Sequence, residues 1–173
     1  MRLGFRHCDP RFPFLWLAPR QPAARWHAEG EGPANYFADT PVGAWAEFLR
    51  HEGITEAADL AGVRRALWAV ELPDSGYTTP SLPAATLFGN EATYPTCQDE
   101  ARRLRAAGAV RLQVQGAALL PGCARGWAAD PGTPPPARDG LVWVLFGTPA
   151  LTGWVAVQDG CPPAAVLPLV RAM

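Results

Sequence analysis

Residues 24–54, ARWHAEGEGPANYFADTPVGAWAEFLRHEGI, decide how this chain folds. Gly30, Gly32 and Pro33 mark a turn, and residues 34–37 have the apolar and aromatic content of a short strand. Thr40-Pro41 then supplies a helix N-cap followed by proline at the first helical position, and Gly53 supplies a stop. Between these signals Val42, Trp45, Ala46 and Leu49 fall on one core-facing stripe. Gly43, Glu47, Arg50 and Ile54 line the adjacent face, with His51 one turn beyond Glu47. The spacing predicts a helix of about 12 residues carrying a glutamate beside its buried stripe.

The remainder of the chain reads as a scaffold for this segment. At 173 residues, with 49% hydrophobic and 18% charged residues, it suits a single globular domain over 1–173. A domain of this size buries roughly 70% of its unfolded surface and needs no staple. A net charge of −1 gives no basic face for nucleic acid. Every cationic side chain other than histidine is arginine, which excludes P-loop and Schiff-base lysine chemistry. Cys8, Cys97, Cys123 and Cys161 form no CxxC pair, so no zinc or other metal site is expected. The apolar h-region of a signal peptide is absent, which predicts a cytoplasmic protein with reduced cysteines, and no apolar run is long enough to span a bilayer.

Working outward, the proline-rich residues 1–24 read as an extended entry segment with a short strand around residues 14–17. Arg6, His7 and Arg11 are assigned to a solvated edge in preference to a site. Residues 55–62 suit a short helix and 66–72 a strand. Residues 74–93 are polar and irregular, as a lid or binding loop would be. Thr96 is expected to cap a helix over 97–107 that Gly108 ends, with Cys97, Ala101 and Leu104 as its buried stripe. Residues 109–114, 141–146 and 153–157 read as strands, the second central, with 121–139 as Gly- and Pro-rich surface. Pro162-Pro163 opens a short final helix interrupted by Pro168. The sum is an α+β fold with about six strands and three or four helices.

The catalytic groups are few. Ser75 and Ser81, the only serines, lie outside any GxSxG elbow. Gly30–Gly32 lacks the strand–GxGxxG–helix context of a dinucleotide fold. His7, His27 and His51 have no metal-ligand spacing. Arg25, Tyr36, Glu47, Arg50 and His51 remain, and their types fit either a shared site or ordinary roles as surface ion pairs and a half-buried strand residue.

The string RWH, the Gly-rich turn, the strand with Tyr36 and the helix with Glu47 together resemble the RES domain, named for an Arg, a Glu and a Ser. Asp9-Pro10-Arg11, the helix over 94–108 with Gln98, GAALLPG at 116–122, LVWVLFG at 141–147 and the following Gly153-Trp154 fall in the family's order. The resemblance implies an ADP-ribosyltransferase-like mixed β core and a toxin that consumes NAD⁺ as substrate. Cleavage would be by hydrolysis or phosphorolysis, without a metal. A partner is implied as well, a helix-turn-helix antitoxin. Oligomeric state is left open, a homodimer among the options. By position, Arg25 and Glu47 are the catalytic pair, and Arg25, His27, Tyr36, Gln115 and Gly116 bind NAD⁺, with Arg50 and His51 accessory.

Within that picture Arg25 grips the pyrophosphate, Tyr36 stacks on nicotinamide, and an ordinary, ionised Glu47 stabilises the oxocarbenium-like transition state by about 3–4 kcal/mol. His51 has two readings, a helix-surface residue or a group that steers or deprotonates the acceptor water or phosphate. Two positions depart from the pattern. Gly116 stands where the family has serine, so that Gln115 or the backbone substitutes, and His27 replaces an asparagine. Gly116 opens the alternative of a degenerate domain that binds a nucleotide or a partner without turnover, and the resemblance itself leaves a protein ADP-ribosyltransferase as a further alternative.

Overall fold

The computed structural model describes residues 1–15, 20–125, 132–133, 135–151 and 153–172. Six strands form one sheet: β1 (Arg2–Cys8), β2 (Ala34–Ala38), β3 (Arg65–Leu72), β4 (Arg111–Gln115), β5 (Leu141–Phe146) and β6 (Trp154–Gly160), in the order β4-β5-β2-β1-β3-β6. Every ladder between them is antiparallel. Among the described residues, parallel pairing is confined to the isolated bridges Thr78–Leu112 and Cys123–Arg138.

Side chains alternate across the sheet, so each strand feeds two layers. On one face Ala38 and Leu67 pack under helix α1 (Pro41–His51), with Trp45, Ala46 and Leu49 fully buried. On the same face Ala34, Leu112, Val114, Val142 and Val144 pack under α3 (Tyr94–Ala106) through Cys97, Ala101 and Leu104. The opposite face carries Phe37, Val70, Leu72, Trp143 and Leu145, covered by Phe14 and, in part, Tyr77 and Leu151.

The capped helix forms as the sequence specifies. Thr40 Oγ1 accepts from the Gly43 amide at 3.0 Å, Pro41 opens the helix, and Gly53 turns the chain out at φ +64°. Ala57–Gly62 and Ala164–Leu169 are 3-10 turns, the second containing Pro168.

Three expectations need correction. The N-terminal strand is Arg2–Cys8, paired along its length with β3 near the middle of the sheet. Phe14 and Leu15 sit in a turn, while residues 16–17 lie outside the described residues. The helix expected from residue 97 begins at Tyr94 with Pro95 in its first turn, so Thr96 is inside it and caps nothing. Residues 74–93 contain α2 (Ala84–Phe88) and a 3-10 turn, Glu91–Thr93, in which Asn90 accepts from the Ala92 amide.

The sheet has one weak seam. β1 pairs with β2 only at Phe5–Ala38, whereas β1–β3 and β2–β5 pair throughout. Gly4 lets the strands approach there: a Cβ would lie 2.5 Å from Leu72 Cδ1 and 2.7 Å from Phe37 Cβ. The main cavity is lined from both strands of this seam.

Candidate functional site

A cavity of about 510 Å³ is walled by β1, β2, α1, the 24–27 turn, the start of α3 and the end of β4. That volume suits a small-molecule ligand. The structure brings Arg25, His27, Tyr36, Glu47, Arg50, His51 and Gln115 to its walls.

The Arg25 turn is closed from both sides. Ala24 and His27 exchange backbone hydrogen bonds at 2.9 and 3.3 Å, and Gln98 Nε2 on α3 donates to both of their carbonyls. Arg25 points from this turn into the 86–93 segment. Its Nη1 donates to Thr86 O and Thr93 Oγ1, its Nη2 donates to Gly89 O at 2.7 Å, and its guanidinium stands 4.7 Å from the Tyr94 ring centroid. Both terminal nitrogens are thus engaged with the protein itself.

Tyr36 presents its ring to the cavity while its hydroxyl is tied down, accepting from the Trp26 amide at 3.1 Å and meeting His27 Nδ1 at 2.9 Å. Burial holds the phenol far above its ordinary pKa, so it stays protonated. Burial also lowers the His27 pKa, outweighing the Pro22 carbonyl and Glu31, which favours the neutral imidazole. His27 therefore acts as a buried partner of Tyr36.

Glu47 is half-buried, on the α1 face toward the cavity. Its Oε1 accepts from the Ala118 amide at 3.3 Å. Desolvation raises its carboxyl pKa, opposed by that amide and by the charges of Arg25 and Arg50. The ordinary, freely ionised glutamate expected from sequence is corrected accordingly: the carboxylate here is held against a desolvation cost. The ion pair with Arg50 that helix spacing allows does not form. Arg50 is buried and donates to Ala117 O at 2.7 Å, Phe88 O at 3.0 Å and Gly89 O at 3.3 Å. His51 is exposed at the cavity rim.

Gln115 and Ala117 line the cavity, whereas Gly116 lines a second pocket beside Gly140 and Arg171. A Cβ at Gly116 would face the Gly140 backbone at 3.4 Å. No serine or threonine is among the described residues of the main cavity wall. Sequence reasoning passed over Tyr94, Gln21, Arg6 and His7. Gln21 clamps β2 through both backbone groups of Ala34, and Arg6 Nη1 donates to Asn35 Oδ1 at 2.8 Å. All four line the cavity. Arg6 and His7 are strand residues rather than the solvated edge assigned to them, and only the alternating register of β1 would have signalled it. No group of histidine, cysteine, aspartate and glutamate among the described residues is arranged to hold a metal ion.

The fold and the order of these residues along it lead to a family assignment. The chain belongs to the RES domain family, whose model matches residues 4–138. Its fold is similar to that of a chain in the crystal structure of the M. tuberculosis MbcT–MbcA toxin–antitoxin complex. The TM-score is 0.58 at 16% identity, covering 97% of this chain and 88% of that one. No curated protein matches the sequence. Among the described residues, no helix is long and apolar enough to cross a membrane.

Proposed function

We propose that this RES domain cleaves the bond between nicotinamide and ribose in NAD⁺ and acts as the toxin of a toxin–antitoxin pair. The observation that carries the reading is the Glu47 carboxyl, set into the cavity wall under the Ala118 amide with Arg25, Arg50 and Tyr36 around it.

Cleavage sends the C–N bonding pair to nicotinamide and leaves positive charge on the ribose carbon and ring oxygen. A carboxylate fixed beside that charge stabilises it. The energetics of Glu47 suit a cationic substrate: desolvation disfavours its charged form when the cavity is empty, and a bound nicotinamide cation offsets that cost. An oxygen of water or phosphate then bonds to the ribose carbon. Water releases one proton to give ADP-ribose, and phosphate gives the ribosyl phosphate.

Tyr36 supplies a flat wall, its hydroxyl fixed by Trp26 and His27, on which nicotinamide stacks for roughly 0.5–1.5 kcal/mol. Arg25 acts through its charge and by holding the 86–93 segment, since Thr86, Gly89 and Thr93 occupy its terminal nitrogens. His51, at the rim one turn beyond Glu47, steers the acceptor. A helix-turn-helix antitoxin covering the cavity mouth is the proposed partner.

A second reading, binding of a nucleotide without turnover, is favoured by the wall at Gln115 and Ala117, which offers no hydroxyl. Incubating purified protein with NAD⁺, with and without phosphate, and following nicotinamide release separates the two. Release supports cleavage, and saturable NAD⁺ binding with no release supports the second reading.

A further inference from the structure

We infer that the end of the cavity formed by Arg65 and His7 is an oxyanion subsite that takes a phosphate or diphosphate group. The proposal deepens the NAD⁺ reading, on which the choice of a diphosphate rests. It starts near Glu47, where three N–H groups each of Arg25 and Arg50 are committed to protein oxygens. Further cationic donors on the wall are therefore of interest for an anionic ligand.

Arg65, at the start of β3, is held in place and countered, among the described residues, only by a long ion pair. Its guanidinium stands 4.9 Å from the Phe48 ring centroid, Nη2 lies 3.4 Å from His7 Nδ1, and Nε is buried without a hydrogen-bond partner. Asp9 lies 4.0 Å from Nη1, and both of its oxygens also accept from Arg11. His7 is stacked on Trp45 with its ring edge against Phe48. Burial, with Arg65, Arg6 and His51 nearby, pushes its pKa down to about 3, so it accepts from Arg65 as a neutral ring.

Arg6 is fixed by Asn35, which in turn donates to Gly147 O at 3.1 Å. Glu52, the remaining acid at this end, is exposed. A planar guanidinium held in place as Arg65 is by Phe48 and His7 is preorganised for phosphate oxygens. His51 joins this end to Glu47 across one helical turn, a rise of about 6 Å. That span fits a diphosphate attached to the reacting ribose and equally an acceptor phosphate approaching it.

Calorimetric titration of the full chain with inorganic phosphate and, separately, with ADP-ribose tests the subsite. Wild type should bind at least one of them saturably. Arg65→Gln should weaken that binding about 10- to 100-fold, Arg65→Glu should weaken it further, and Arg65→Lys should fall between wild type and Arg65→Gln. Loss for phosphate alone assigns the subsite to a free acceptor, whereas loss for ADP-ribose with phosphate competing assigns it to the diphosphate. Equal affinities in wild type, Arg65→Gln and Arg65→Glu, each folded by circular dichroism, would overturn the proposal, as would no binding by wild type. Arg65-dependent binding without nicotinamide release would sink the cleavage reading and leave the subsite standing.

Discussion

Arg25 and Arg50 converge on one carbonyl: both donate to Gly89 O, at 2.7 and 3.3 Å. Arg25 comes from the tight turn before β2 and Arg50 from the last turn of α1, so the 86–93 segment is stapled to two elements of the site at once. Arg25→Gln and Arg50→Gln should each cost about 1.5–3 kcal/mol, the usual worth of hydrogen bonds from a charged donor. Hydrogen exchange should show lost protection centred on residues 86–93. Exchange unchanged there, with destabilisation spread evenly over the sheet, would contradict the staple.

Tyr36 bears on both stability and the cavity. Tyr36→Phe keeps the ring but leaves the Trp26 amide and His27 Nδ1 without their shared partner. The expected loss is about 1–3 kcal/mol, corresponding to roughly 2–4 °C in Tm per kcal/mol for a domain of this size. A thermal melt indistinguishable from wild type would show that the hydroxyl contributes nothing to the turn.

Glu47 makes stability depend on pH in a definite direction. Its folded pKa is raised by burial, so its neutral form is the one the fold prefers. The contribution is fully present below the ordinary carboxylate range and is lost as pH rises through the raised value. Glu47→Gln, permanently neutral, should therefore melt above wild type at pH 7–8, and the gap should close near pH 4. A variant melting below wild type at pH 8 would mean that Arg25, Arg50 and the Ala118 amide outweigh desolvation.

The missing hydroxyl can be put back at two places. Ala117 lines the cavity, whereas a side chain at Gly116 meets the Gly140 backbone. If one added hydrogen bond aids turnover, Ala117→Ser should raise the rate of nicotinamide release about 2- to 10-fold, and Gly116→Ser should raise it less. A larger gain from Gly116→Ser would place the functional hydroxyl on the Gly140 side.

The parts of the fold that were legible in the sequence are those written in local chemistry. Thr40-Pro41, the Trp45–Ala46–Leu49 stripe and Gly53 each act within a turn or two of themselves, and α1 follows from them. β1 was hidden because Arg6 and His7 read as surface. Their burial depends on Asn35 from β2, Arg65 from β3 and Trp45 from α1, partners set only by tertiary pairing. The same limit applied to residues 74–93: a segment ordered by two distant guanidinium groups looks irregular when read alone. At the cavity, family order singled out Arg25, Tyr36 and Glu47, and the fold brings all three to its wall. The direction of a side chain at 116 against 117 depends on where β5 passes, which no local pattern records.

The most direct test of the account is the rate of nicotinamide release from NAD⁺ by wild type and Glu47→Gln, measured with and without phosphate at enzyme concentrations comparable to substrate. The account predicts release by wild type and its loss by a factor of about 100 or more in a folded Glu47→Gln variant, the scale of removing one preorganised electrostatic group. Equal release by the two proteins, or none by wild type under either condition, would contradict it.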